Sequence, residues 1–277
     1  MLTALQIEEY AGGSFWHVFR RNRVRVGHRY CDSAAVKSVV YEHYRGKLNW
    51  TTIDRFVKGQ RDRLLCPESV ELPAFLGYRR FESSELNRRM CGNAALYLLR
   101  MAERRDIKTV LVDREGECLD LCERLTEYTE PVYVVTESPE LYAAEAEYLL
   151  SEKGAILRVS RSAGCLRDAD VIISPRCISN DLCCQPTAVL LSGEKPAYPQ
   201  LSPVIYDYTF ELPQKYRDVM PPYLDEMYFA SALYALAHAR GLSAELFTRC
   251  GDGTVIHTRQ SLVEMLKKRL SVAGDFS

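Results

Sequence analysis

No apolar run in this 277-residue chain approaches the roughly 18 residues that a membrane span needs. The opening residues, MLTALQIEEYAGGSFW, lack a basic stretch followed by an apolar one, so no secretory leader is expected there. CxxC pairs are missing too. The ten cysteines are scattered from Cys31 to Cys250, too sparse for a secreted disulfide scaffold, and they point to reduced thiols in a cytoplasmic protein. GxSxG, HExxH, P-loop and paired-carboxylate patterns do not occur, which removes the usual sequence grounds for a hydrolase, a zinc protease or a nucleotide triphosphatase. Histidine is scarce at five residues, and His238, inside an apolar stretch, reads better as a core residue than as a base or ligand. Cys118 and Cys122 stand one helical turn apart but share an apolar stripe with Leu121 and Leu125, so they read as core and no metal site is expected.

What is present is a globular composition, 47% hydrophobic and 26% charged, with charge unevenly spread. The net charge is −1, yet residues 15–65 carry 12 Lys and Arg against four Asp and Glu. Residues 1–82 are therefore expected to form a basic module. The stretches SAAVKSVVYEHYR and TTIDRFVKGQRDRLL match helical periodicity, so the module is read as mainly helical. Such a helix pair could be a helix-turn-helix whose second helix presents Arg55, Lys58, Arg61 and Arg63 to nucleic acid. The plainer reading is a helical hairpin with Val39, Val40, Ile53 and Phe56 as its small core, and a basic face that docks on acidic surface or is solvated.

From residue 83 onward, a second domain running to residue 277 is expected, built from alternating strands and helices and closed by C-terminal helices. The runs KTVLV, PVYVV, AILRVS and VIIS, followed by TAVLLS and PVIYDY, read as parallel strands, giving a doubly wound, mostly parallel α/β sheet. Strand, helix, strand, helix, strand and then the short LRDADVII resemble the NAD(P)-binding Rossmann domains of dehydrogenases of the shikimate dehydrogenase and glutamyl-tRNA reductase type, over residues 106–210. That resemblance implies a dinucleotide at the first turn and an acid, here Glu137, on its ribose. The turn itself differs from the family's GxGxxG: Asp113-Arg114-Glu115-Gly116-Glu117 holds one glycine among three carboxylates, which would repel a pyrophosphate. NAD(P) is therefore disfavoured as a cofactor.

Ligands of open parallel sheets bind beyond the carboxyl ends of the strands. Those ends supply Arg114 and Glu115, Glu137, Ser160 and Arg161, and Ser174 and Arg176. Arginine forks suit carboxylates and phosphates, so a small anionic ligand is expected, with Glu115 available to a hydroxyl or amine. Simple surface ion pairing of the same residues is the competing reading. The function expected is that of a non-catalytic small-anion-binding or regulatory protein. An NAD(P)-dependent oxidoreductase with an atypical turn and a nucleic-acid-binding protein are the alternatives, and a homo-oligomer is compatible with either.

Overall fold

Leu2–Glu9 (β1), Arg23–Cys31 (β2) and Ala34–His43 (β3) form a sheet in the order β1-β3-β2. These elements belong to a computed structural model that describes residues 1–10, 20–31, 34–178 and 182–274. Strand β3 runs parallel to β1, with Leu5 opposite Val39, and antiparallel to β2, with Val26 opposite Val39. This corrects the helical reading of residues 33–45. Val36, Val39 and Val40 fit either a helical or an alternating pattern, and β-branched side chains flanked by two strand partners settle into the pleat. Residues 15–19 and 32–33 of the basic stretch lie outside the described residues.

The helix that does form, Trp50–Val57 (α1), is only eight residues long. Asn49 caps it by accepting from the Thr52 amide, and it ends where Lys58 and Gly59 take positive φ, so Arg61 and Arg63 fall beyond it. With one partner a strand and the other this short, the helix-turn-helix reading is withdrawn. Ile53 and Val57 face inward on Leu5, Val39, Tyr41, Leu64 and Tyr78, the core of this unit.

After Glu85–Ala102 (α2) comes the parallel sheet: Thr109–Val112 (β4), Leu119–Thr126 (α3), Val132–Val135 (β5), Ala143–Lys153 (α4), Leu157–Ser160 (β6), Val171–Ser174 (β7), Val189–Ser192 (β8) and Val204–Ile205 (β9). Its order is β6-β5-β4-β7-β8-β9, every pair parallel, which is the doubly wound Rossmann-like arrangement expected. The central strands β7 and β8 are buried at every position, as strands covered on both faces must be. One face packs Val110, Ile172, Leu190 and Val204 with Leu166 and Ala169. Helix α4 buries Leu149 and leaves Ala144 and Tyr148 exposed. The 3₁₀ turn Pro139–Tyr142 before it buries Tyr142.

Asp207–Thr209 (β10) then leads out of the sheet, and residues 212–243, with Gln214–Arg217 (α5) and Glu226–Leu236 (α6), cluster with the N-terminal unit. The chain thus divides into Met1–Leu86 with Leu212–Ser243, and Asn87–Glu211 with Ala244–Ser277, instead of breaking once at residue 82. An apolar helix such as α6 declares that it is buried, but not which core it completes. Arg249–Gly251 (β11) and Ile256–Thr258 (β12) pair antiparallel beside β10. Arg259–Gly274 (α7) follows, capped by Thr258, whose hydroxyl accepts from the Ser261 amide. Among the described residues no helix is long and apolar enough to cross a membrane.

Candidate functional site at the carboxyl edge of the sheet

The turn after β4 is held by its own first residue. Asp113 is buried, and its carboxylate accepts from the Cys118 amide at the start of α3 at 2.8 Å and from the Tyr142 hydroxyl. A side-chain anion therefore occupies the end of α3 where a Rossmann domain receives pyrophosphate. Gly116 allows the remainder of the turn, since it sits at φ +75° and an added Cβ would stand 2.5 Å from Leu141 Cδ1. Burial pushes the Tyr142 hydroxyl far above its ordinary range, so it stays a donor to Asp113.

Across the mouth of this turn lies Arg176, two residues past β7. Its Nη1 donates to Glu115 at 2.8 Å, and its Nη2 and Nε reach Glu117 at 2.5 and 3.1 Å. That hydrogen bond from Arg176 holds the Glu117 carboxyl below its usual range. Ser174 and Ser192, at the ends of β7 and β8, both donate to the Arg176 carbonyl and fix the backbone from which the guanidinium projects. Gly193 permits the close approach, because a Cβ there would lie 1.8 Å from the Pro175 carbonyl oxygen.

Between the turn and this loop opens a cavity of about 260 Å³, lined by Arg114, Glu115, Ser174 and Arg176 together with Arg88, Asp113, Cys177 and Glu194. Four of the residues read from the strand ends thus share one pocket. Glu137, Ser160 and Arg161 do not line it. The amide of Glu137 and the Thr136 hydroxyl donate to the Arg114 carbonyl, Ser160 accepts from the Ser162 amide, and Arg161 donates to the Glu137 carbonyl and pairs with Glu140 at 3.6 Å. These three lock the neighbouring turns.

Sequence reasoning missed Arg88 and Glu194, which pair at 2.6 Å. The strand-end rule applied to β8 would have pointed to Glu194, whereas Arg88, in the first turns of α2, left no signal in the pattern. Cys118 and Cys122 are held by burial far above the ordinary thiol range, which suits packing and not reactivity. Among the described residues no three His, Cys, Asp or Glu side chains converge as a metal site would require.

No family model matches the chain, and no curated protein does. Among solved structures it is similar to a probable ornithine cyclodeaminase from Bordetella pertussis Tohama I, at 18% identity and a TM-score of 0.27 over 36% of this chain. It spans only 35% of that protein's length. It is also similar to L-tryptophan dehydrogenase from Nostoc punctiforme, at 12% identity and a TM-score of 0.30, covering 86% of this chain and 77% of that one. Likeness this weak is at the level of fold, and the Rossmann-like assignment rests on the strand order itself.

Proposed function

We propose that this chain is a non-catalytic binding or regulatory protein whose parallel-sheet unit takes a small carboxylate- or phosphate-bearing molecule at the carboxyl edge of β4 and β7. The observation that carries this reading is the Arg176 clamp. Its guanidinium meets two half-exposed carboxylates at the mouth of a pocket, and exposed ion pairs of this kind contribute only about 0–1 kcal/mol each, so an incoming anion can exchange with Glu115 or Glu117. Arg114 and Arg88 line the same space, Arg88 already paired with Glu194, so the lining brings three arginines against the carboxylates of Asp113, Glu115 and Glu194 and an anion must enter by exchange.

Dinucleotide binding in the usual mode is disfavoured by the Asp113 cap and by the size of the cavity, which falls under the ~300 Å³ from which sites for drug-sized ligands start and leaves room only for a smaller molecule. The ten free thiols support a reducing, cytoplasmic setting. Calorimetric titration with succinate, citrate and inorganic phosphate, beside NAD(H) and NADP(H), tests the reading. Binding of a small anion that disappears in Arg176→Ala supports it. Nucleotide binding with a Kd below about 100 µM, which at millimolar ligand raises stability by more than about 1 kcal/mol, would instead favour the oxidoreductase alternative.

A further inference from the structure

The N-terminal unit holds a second cavity, of about 490 Å³, whose lining runs opposite to the charge of its surroundings. Residues 15–65 carry 12 basic side chains, yet among the described residues no Lys or Arg lines this space. It is walled instead by Trp50 and Phe75, with Leu72 and Pro73 beside them and the carboxylates of Glu9 and Glu71. The Trp50 ring packs against Tyr78, centroids 4.9 Å apart and planes inclined at 56°. Phe75 is 88% exposed on a short 3₁₀ turn, a position at which a large aromatic ring adds nothing to the core of this unit. Glu9 is engaged at 2.6 Å by His43, whereas Glu71 has no ion-pair partner among the described residues.

We propose that this cavity binds an organic cation with an apolar body, an alkylammonium group held by the rings of Trp50 and Phe75 and by the carboxylates of Glu9 and Glu71. The choice of ligand class follows from the lining. Two carboxylates repel an anion, and a neutral apolar molecule would leave them unused. A cation gains from both the carboxylates and the aromatic faces, whose quadrupole attracts positive charge. The apolar wall of Leu72 and Pro73 takes the carbon body, so an inorganic cation, which would need converging oxygen ligands, does not fit the donor set. The described lining residues fall between residues 7 and 75, in a different unit from the anion pocket of the parallel sheet.

The full chain carrying Trp16→Phe, so that Trp50 alone reports, is titrated by fluorescence with choline, with N-acetyl-lysine methylamide, and with 3,3-dimethylbutanol, the neutral isostere of choline. Saturable binding of either cation is expected, with the neutral isostere at least about 10-fold weaker. The tighter of the two cations tells a free ammonium compound from a lysine side chain of a peptide. Glu71→Gln should weaken binding roughly 3- to 10-fold, and Phe75→Ser by a similar factor, both being exposed positions whose replacement leaves folding intact. Equal affinity for the neutral isostere, undiminished binding to Glu71→Lys, or no response to either cation up to about 50 mM, far above the range of a usable cation–aromatic site, would overturn the proposal.

Discussion

The two units each contain a three-body charge clamp, and the two are inverted copies of one another. In the N-terminal unit one carboxylate is held by two arginines: Glu42 meets Arg23 and also Arg25, at 2.6 Å, and accepts from the Tyr44 hydroxyl at 2.9 Å. In the parallel-sheet unit one arginine is held by two carboxylates, Arg176 between Glu115 and Glu117. The decisive difference is solvent. The Glu42 carboxylate is 2% exposed, though its arginines Arg23 and Arg25 reach solvent at 61% and 55%, whereas Glu115 and Glu117 are 57% and 52% exposed. A charge taken out of water must keep its partners or destabilise the fold, while charges left in water exchange partners at little cost. The first clamp is therefore built to stay closed and the second is free to open for a ligand.

The sharpest way to break this comparison is to remove Glu42. Glu42→Leu strips the acceptor from Tyr44 and leaves two arginines beside an apolar side chain, and we expect a loss of about 3 kcal/mol in denaturant unfolding of the N-terminal unit. A loss below about 0.5 kcal/mol would place both clamps in the same class. Acid sharpens the same point. Arg23, donating to Glu42, and then Tyr44 hold its carboxyl below the ordinary carboxylate range. A depressed folded-state pKa means that the stabilisation is complete above the unfolded value of about 4.3 and is lost as pH falls through the folded one. The stability gap between the parent and Glu42→Gln should accordingly be constant from about pH 7 to 5 and shrink below about pH 4, read from urea midpoints at each pH.

Next in size comes Asp113, a buried anion that serves the turn instead of a salt bridge. Asp113→Ala deprives both the Cys118 amide and the buried Tyr142 hydroxyl of their acceptor, and a cost of about 2 kcal/mol is expected. Asp113→Asn, which retains one acceptor oxygen, should cost less. If the asparagine variant gains affinity for phosphate, then the carboxylate, and not the shape of the turn, is what keeps pyrophosphate out.

Much of this was legible in the sequence, and the part that was not has a common cause. The strands β4, β5, β7 and β8 announced themselves as short apolar runs between loops, buried most fully in β7 and β8, whereas the edge strand β6 alternates half-buried and exposed positions. Strand β3 lies in a small sheet beside the exposed edge strand β2, where local pattern is ambiguous and pairing decides. At the site, strand ends located Arg114, Glu115, Ser174 and Arg176, because a parallel sheet aligns its carboxyl ends without further information. Which acid each arginine would meet was not legible. Arg176 turns to Glu115 and Glu117, some 60 residues away in sequence, and Arg161 turns off the pocket to Glu140, choices fixed by loop geometry that one-dimensional pattern does not carry.

The smallest expected effect on stability is also the most informative about function. Arg176→Ala removes two ion pairs, but both acids keep their water, and the backbone at residue 176 is held independently by Ser174 and Ser192 through its carbonyl. Folding stability should therefore change by no more than about 0.5 kcal/mol, within the range of ordinary surface substitutions. Binding of the small anion should nevertheless be lost, because the two glutamates that Arg176 neutralises would then face the pocket mouth as uncompensated negative charge. Replacing all three members together, Glu115→Gln and Glu117→Gln with Arg176→Ala, separates attraction from repulsion. If the triple variant recovers part of the affinity, the arginine acts by screening its carboxylates; if it recovers none, the guanidinium itself grips the anion. A single variant that loses several kcal/mol of stability would show that this clamp, like the one around Glu42, belongs to the fold and not to a ligand.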